Sequence, residues 1–240
     1  TELHRFPSRL IHCQQHFHWD VYYLFEQIRL VLENLKQQDF RLNSLGIDTW
    51  GVDFGLIDKS GHIVGLPFCY RDKIFPEAAK NYLREFSGKE LYYLTGIQLL
   101  PFNTLFQLYA LRKENPAWLD LAEKILFMPD LLNFLLTGTK VTDLTIASTS
   151  QLLSPISRQW LPGLLERMGI RSQLLPEINQ PGQILGRLSS WLLAEGLPDL
   201  TVVQVAGHDT ASAVAAVPAQ GENWVYISSG TWSLVGVELN

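Results

Sequence analysis

Gly207-His208-Asp209-Thr210-Ala211-Ser212-Ala213 is the segment of this sequence best equipped for chemistry. It follows an apolar run and precedes a stretch of small residues that reads as a helix. Asp209 then sits where a strand ends, glycine turns the chain and a helix begins. The helix dipole at that point favours an ionised carboxylate. A carboxylate held there, beside a crevice, is placed to take a proton from a substrate hydroxyl. His208 can hydrogen-bond such a hydroxyl, and Ala211 and Ala213 allow the helix to approach a neighbour closely. The plain alternative is an aspartate that only caps a helix.

Four further segments can carry chemistry. Asp48-Thr49-Trp50-Gly51-Val52-Asp53 sets two carboxylates and an indole near the end of a strand. Gly51 there lets a ligand come close to the backbone. Trp50 either stacks on a sugar face or fills the core, and Asp53 either binds hydroxyls or caps the strand's end. Ser228-Ser229-Gly230-Thr231-Trp232-Ser233 places small hydroxyl residues around a glycine, in the manner of a phosphate-cradling turn. An ordinary hairpin turn is the simpler reading, and the glycine pattern is not a Walker loop. In Leu100-Pro101-Phe102-Asn103-Thr104, Asn103 is expected to cap the next helix, with an amide aimed at a ligand as the alternative. In Tyr70-Arg71-Asp72, Arg71 either meets a substrate oxygen or pairs with Asp72.

The elements that must position these segments are legible in outline. Residues 1–10 read as the end of a strand. Asp20 is a good N-cap, and Val21, Leu24, Phe25, Ile28, Leu32 and Leu35 then form one helical stripe running to about Lys36. Leu45 to Ile57 reads as a strand, Asp58 to Gly61 as a turn with a left-handed glycine, and His62 to Cys69 as the returning arm of a hairpin. Residues 75–175 read as mostly helical, an inserted layer. Pro76 suits a helix start, Ser87 to Glu90 is a capping box stopped by Gly96, and Pro129 opens a helix that stops near Gly138. The tail returns to strands at 201–206, 224–228 and 231–237, with a helix from Thr210 to Val217.

Bulk properties exclude several classes. The 240 residues are 47% hydrophobic and 18% charged, ordinary for a globular domain and unlike disorder. A net charge of −5 with scattered lysines and arginines offers no grip on nucleic acid. Cys13 and Cys69 make neither a disulfide framework nor a zinc site, and read as reduced thiols of a cytoplasmic protein. The longest apolar run, Ile125 to Leu136, is interrupted by Pro129-Asp130 and is too short for a membrane span.

Taken together and in order, Gly46 to Phe54, Tyr70-Arg71-Asp72, Thr95 to Gln98, Leu100 to Thr104, Met128-Pro129-Asp130, Gly207 to Val214 and Ser228 to Leu234 resemble the FGGY family of carbohydrate kinases. The strings Thr49-Trp50-Gly51-Val52-Asp53-Phe54 and His208-Asp209-Thr210-Ala211-Ser212-Ala213 point to the branch that phosphorylates L-rhamnulose. The resemblance implies an α/β, ribonuclease H-like (actin-like ATPase) three-layer fold with an inserted helical layer, incomplete at the N-terminus. Residues 1–240 would be the N-terminal, sugar-binding domain without its first strands, the C-terminal ATP-binding domain being absent. It implies transfer of the ATP γ-phosphate to the 1-hydroxyl of L-rhamnulose, with ATP and Mg²⁺ as cofactors and neither nucleic acid nor membrane as partner. By the family pattern Asp209 is the base, Gly51, His208, Asp209 and Thr210 contact the sugar, and Thr231 belongs to the ATP phosphate side.

The departures from the family are also informative. Its opening Asp-Leu-Gly segment and Ser-Gly-Arg turn, which grip ATP phosphates, have no counterpart here, and residues 142–151 fit loosely. The chain alone is therefore expected not to turn over ATP, and to be poorly soluble because strand edges and apolar surface lie bare. A kinase of another ketose such as L-fuculose, a non-catalytic sugar-binding remnant, and a sugar-isomerising protein without ATP stand as alternatives.

Overall fold

The computed structural model describes residues 2–37, 42–221, 224–230 and 233–237. A hairpin of β1 (Leu10–Cys13) and β2 (His16–Trp19) comes first. The expected strand thus begins where residues 1–10 were to end it. Gln14 and Gln15, with φ of 50° and 69°, both take the left-handed conformation that a two-residue hairpin turn requires. Asp20 then caps α1 (Val21–Gln37), its carboxylate accepting the Tyr23 N–H at 3.0 Å. The predicted stripe is the buried face: Val21, Leu24, Phe25, Leu32 and Leu35 are all inside.

Two strands follow, β3 (Ser44–Leu45) and β4 (Phe54–Asp58). The Asp58 to Gly61 turn forms as expected, with Gly61 at φ 87° and the Asp58 carboxylate accepting the Ser60 and His62 N–H groups at 2.8 Å. The returning arm does not form a strand. Ile63 makes a single bridge to Ile57, after which Gly65 at φ 68° and Pro67 divert the chain, and Phe68 bridges to His18 instead.

Helices α2 (Ile74–Glu85), α3 (Gly88–Thr95), α4 (Thr104–Glu114) and α5 (Pro116–Leu121) build the helical layer. Pro76 lies in the first turn of α2. Ser87 caps α3 by accepting the Glu90 N–H, and Gly96 ends it at φ 65°. The Glu90 carboxylate turns outward to Arg167. The layer is interrupted by β5 (Ala122–Phe127), which pairs antiparallel with β4. Periodicity could not separate this strand from a helix, because both its faces are covered. Phe54, Leu56, Ile125 and Phe127 face one core with Phe75, Tyr82 and Leu105, whereas Ile57 and Leu126 face a second core with Trp19, Val21 and Leu131.

Beyond it come α6 (Met128–Thr137), ended by Gly138 at φ 81°, β6 (Val141–Asp143), α7 (Leu144–Ser148) and α8 (Pro162–Glu166). Then follow β7 (Glu177–Asn179), β8 (Ile184–Arg187), α9 (Ser190–Ala194), β9 (Thr201–Val203), α10 (Asp209–Ala215), β10 (Val225–Ser229) and β11 (Ser233–Val237). The β6–β7 and β3–β9 pairs are parallel, β8 is antiparallel to β9, and β10–β11 is a hairpin whose Val225, Ile227, Val235 and Val237 are exposed. Ala213, expected to let its helix pack closely, is itself exposed, and α10 buries none of its residues. Among the described residues no helix is long and apolar enough to cross a membrane. Cys13 is exposed, Cys69 is buried, and both are free.

Candidate functional site

The first two chemical segments, 159 residues apart, meet at one parallel bridge between Thr49 and His208. The Thr49 N–H donates to the Gly207 carbonyl at 2.9 Å, and the Asp209 N–H donates to the Thr49 carbonyl at 2.8 Å. This pairing continues the β3–β9 direction past the ends of both strands. It fixes Asp209 as the first residue of α10, with His208 as its N-cap.

Asp209 is exposed, its side chain 55% accessible. Among the described residues every hydrogen-bond partner of its carboxylate meets Oδ1: the Thr210 N–H at 2.6 Å and the Thr210 hydroxyl at 3.3 Å. His208 Nε2 lies 3.4 Å from the same oxygen. Burial lowers the His208 pKa, while the nearby charges of Asp209, Asp143 and Asp48 oppose that shift. A neutral imidazole has one donor and one acceptor nitrogen, which suits it to a hydroxyl. Thr210 serves Asp209 directly through its hydroxyl.

Gly51 stands on the opposing loop, and its lack of a side chain has a packing cause. A Cβ there would lie 3.0–3.1 Å from the Thr149 side chain. Thr149 also accepts the Val52 N–H at 3.0 Å. Val52 takes φ 68°, a conformation rarely open to a β-branched residue. Its carbonyl accepts the Thr104 hydroxyl at 2.6 Å and the Gln107 amide at 3.4 Å, so three side chains hold the strained turn.

Asp53 departs from both expectations for it: it neither faces a ligand nor caps a strand. It is fully buried and accepts Trp19 Nε1 at 2.6 Å, Trp50 Nε1 at 3.0 Å, the Tyr70 N–H at 3.2 Å and Gln107 Nε2 at 2.8 Å. Burial outweighs these donors and pushes its pKa up to about 6. Trp50 is thereby pinned against Trp19, their rings 4.3 Å apart.

The Tyr70–Asp72 and Leu100–Thr104 segments also converge. Tyr70, Arg71, Pro101 and Phe102 line an open cleft of about 330 Å³, and the Tyr70 and Phe102 rings meet edge-on at 5.7 Å. Of the two alternatives for Arg71, the pair with Asp72 does not form. Arg71 Nε donates to the Tyr70 hydroxyl at 3.1 Å, while the buried Asp72 accepts the Phe17 N–H at 2.6 Å, the Ile74 N–H at 3.0 Å and His16 Nδ1 at 3.2 Å. Asn103 precedes α4 but makes no side-chain cap. Its Nδ2 donates to the Gln98 carbonyl at 2.8 Å and to Gln151 Oε1 at 2.9 Å, which orients the side chain toward those acceptors.

Strand β10 ends at Ser229, one residue later than expected, with Gly230 a bend after it, and no hydrogen bond among the described residues joins this segment to the Thr49–His208 bridge. Thr231 and Trp232 lie outside the described residues. No group of three or more His, Cys, Asp or Glu side chains able to hold a metal occurs among the described residues.

Residues 7–216 match the FGGY family of carbohydrate kinases, N-terminal domain. The chain is 44% identical over 238 residues to a rhamnulokinase of Bacteroides thetaiotaomicron, covering 99% of this chain and 49% of that one. It is 42% identical over 238 residues to a rhamnulokinase of Enterococcus faecalis, covering 99% and 48%. The chain spans about half the length of the curated relatives it matches. A carbohydrate kinase from Novosphingobium aromaticivorans superposes with a TM-score of 0.82 at 22% identity, covering 95% of this chain and 49% of that chain. A xylulose kinase from Rhodospirillum rubrum does so with a TM-score of 0.78 at 22% identity, covering 88% and 45%. At that identity they speak for the fold alone, which is the actin-like ATPase fold.

Proposed function

This chain belongs to the FGGY family of carbohydrate kinases, and on that premise we propose that it is the sugar-binding, N-terminal domain of an ATP-dependent rhamnulokinase. The proposed reaction transfers the ATP γ-phosphate to the 1-hydroxyl of L-rhamnulose, in rhamnose catabolism. The observation that carries this reading is the Thr49–His208 bridge, which sets an exposed carboxylate beside a neutral imidazole and a loop of fixed shape.

In this reading Asp209 accepts the proton of the sugar hydroxyl through Oδ2, which takes no hydrogen bond among the described residues. The Thr210 N–H and hydroxyl hold the other oxygen and so orient the carboxylate. His208, Thr210 and the backbone at Gly51 bind and orient the sugar. Orientation counts for much here, because phosphoryl transfer leaves the protein little covalent chemistry to perform. The chemistry supplied by bound ATP and Mg²⁺ is the activated γ-phosphoryl group and the neutralisation of its charge. Mg²⁺ in such sites needs only one or two carboxylates besides phosphates. The donor set fits that: Asp48, exposed and next to the bridging Thr49, is the carboxylate available for it. Thr231 is assigned to the phosphate side on the family pattern. The free thiols of Cys13 and Cys69 support a cytoplasmic, reducing compartment.

The test is ADP release by the full-length gene product with L-rhamnulose, L-fuculose, D-xylulose or no sugar. Release that depends on L-rhamnulose is the expected result. Preference for another ketose would keep the kinase and change its substrate, and no sugar-dependent release would overturn the reading.

A further inference from the structure

Gly207 and His208 are also held by a short segment, Asp143 to Thr145, within the stretch 142–151 that fits the family string only loosely. Asp143 is fully buried at the end of β6 and caps α7, with Oδ1 accepting the Thr145 N–H at 2.7 Å and Oδ2 the Ile146 N–H at 3.2 Å. The same Oδ2 accepts the Gly207 N–H at 2.8 Å. Two residues on, the Thr145 hydroxyl accepts the His208 N–H at 3.2 Å. The three consecutive N–H groups of Gly207, His208 and Asp209 thus go to Asp143, Thr145 and Thr49 in turn.

We propose that Asp143 and Thr145 are positioning residues for phosphoryl transfer: they set the path of the Gly207–Asp209 turn and so the place of the Asp209 carboxylate. This rests on the reading of Asp209 as the base. Asp143 is buried and its two oxygens are fixed by three N–H groups, so the direction in which it receives the Gly207 N–H is set. The clamp is itself anchored. Thr142, the neighbour of Asp143 on β6, donates its hydroxyl to the buried Asp130 of α6 at 2.5 Å, and Gln204 Nε2, just after β9, donates to the other Asp130 oxygen at 3.4 Å. One buried carboxylate therefore ties the strand that carries the clamp to the strand that leads into the turn. Glycine is required at 207 for the same reason, since a Cβ there would lie 2.5 Å from Asp143 Oδ2. Neither clamp residue meets the reacting atoms in this account. Both act through the backbone of the turn.

The test compares Thr145→Val, Thr145→Ser, Asp143→Asn and Asp209→Asn in the full-length gene product. Sugar-dependent ADP release, sugar-independent ADP release and the unfolding temperature are read for each. Displacing a reacting group by about 1 Å costs on the order of 100-fold in rate. Thr145→Val, which keeps shape and loses the acceptor, is expected to lower kcat for the sugar about 10- to 100-fold, leaving sugar-independent ADP release intact. Thr145→Ser, which restores the hydroxyl, is expected to recover kcat. Asp143→Asn is expected to lose at least as much as Thr145→Val. If it fails to fold, the threonine pair decides alone. A purely structural role would lower both ADP rates in proportion to the folded fraction, which would overturn the proposal, as would a Thr145→Val protein with parental kcat. If Asp209→Asn retains activity, the reading of the base falls instead, and the clamp falls with it.

Discussion

Replacing Gly207 by alanine puts the closeness of the turn to its clamp under direct strain. The added methyl would lie 2.5 Å from Asp143 Oδ2 and 3.1 Å from Pro129 Cγ, about 0.9 Å short of the 3.4 Å at which ordinary contact begins. Neither neighbour can yield cheaply. Asp143 is held by three N–H groups, and Pro129 belongs to the first turn of α6. The turn must therefore move, and it carries Asp209 with it. A shift of that size at a reacting group corresponds to about 100-fold in kcat, or ~2.7 kcal/mol of barrier. The assay is steady-state ADP release with saturating ketose, beside an unfolding curve to establish that the variant is folded. Gly163→Ala is the matched control, because nothing lies within 4 Å of its Cβ position and helix α8 tolerates alanine. A folded Gly207→Ala enzyme with the kcat of the control would refute the reasoning.

Asp53 should give stability an unusual pH dependence. Its native pKa of about 6 exceeds the ordinary 3.8, so between roughly pH 4 and 6 the native state holds more protons than the unfolded one. Its contribution is then most favourable below about pH 4 and is lost as pH rises through 6, by about 3 kcal/mol. Urea unfolding of the parent and Asp53→Asn is expected to show the stability gap in the parent's favour shrinking from pH 4.5 to 7.5. A gap that grows with pH would contradict the assignment. Thr149→Val leaves the Val52 N–H without its acceptor and should cost about 1–3 kcal/mol. It should also weaken sugar binding, read from the fluorescence of Trp50, with unchanged affinity counting against a role for the Gly51 loop.

Local chemistry was the legible part of this fold. Asp20, Ser87, Gly61, Gly96 and Gly138 do what their types dictate, because a cap or a left-handed turn is decided within a few residues. Expectations failed where a distant partner outcompeted the near one. Asn103 turns its side chain to Gln98 and Gln151 and does not cap its own helix, and Asp72 serves Phe17 rather than Arg71. Strand β5 was hidden because burial on both faces erases the alternation that marks a strand. Within the site, Asp209 and the 48–53 segment were visible as residue types, but their junction was not, since nothing local says that Thr49 pairs with His208. Asp143 before Leu144-Thr145 carried a readable capping signal. Its bond to Gly207, 64 residues away, did not.

In the proposed function Asp209 is the group that takes the sugar's proton. Asp209→Asn keeps the size of the side chain and an oxygen for the Thr210 N–H, while removing the base. Measured in the full-length gene product, the substitution should lower sugar-dependent ADP release by about 10²- to 10⁴-fold while the ketose still quenches or shifts tryptophan emission over its usual concentration range. Sugar-dependent turnover within a few-fold of the parent, in a folded protein, would contradict the central claim.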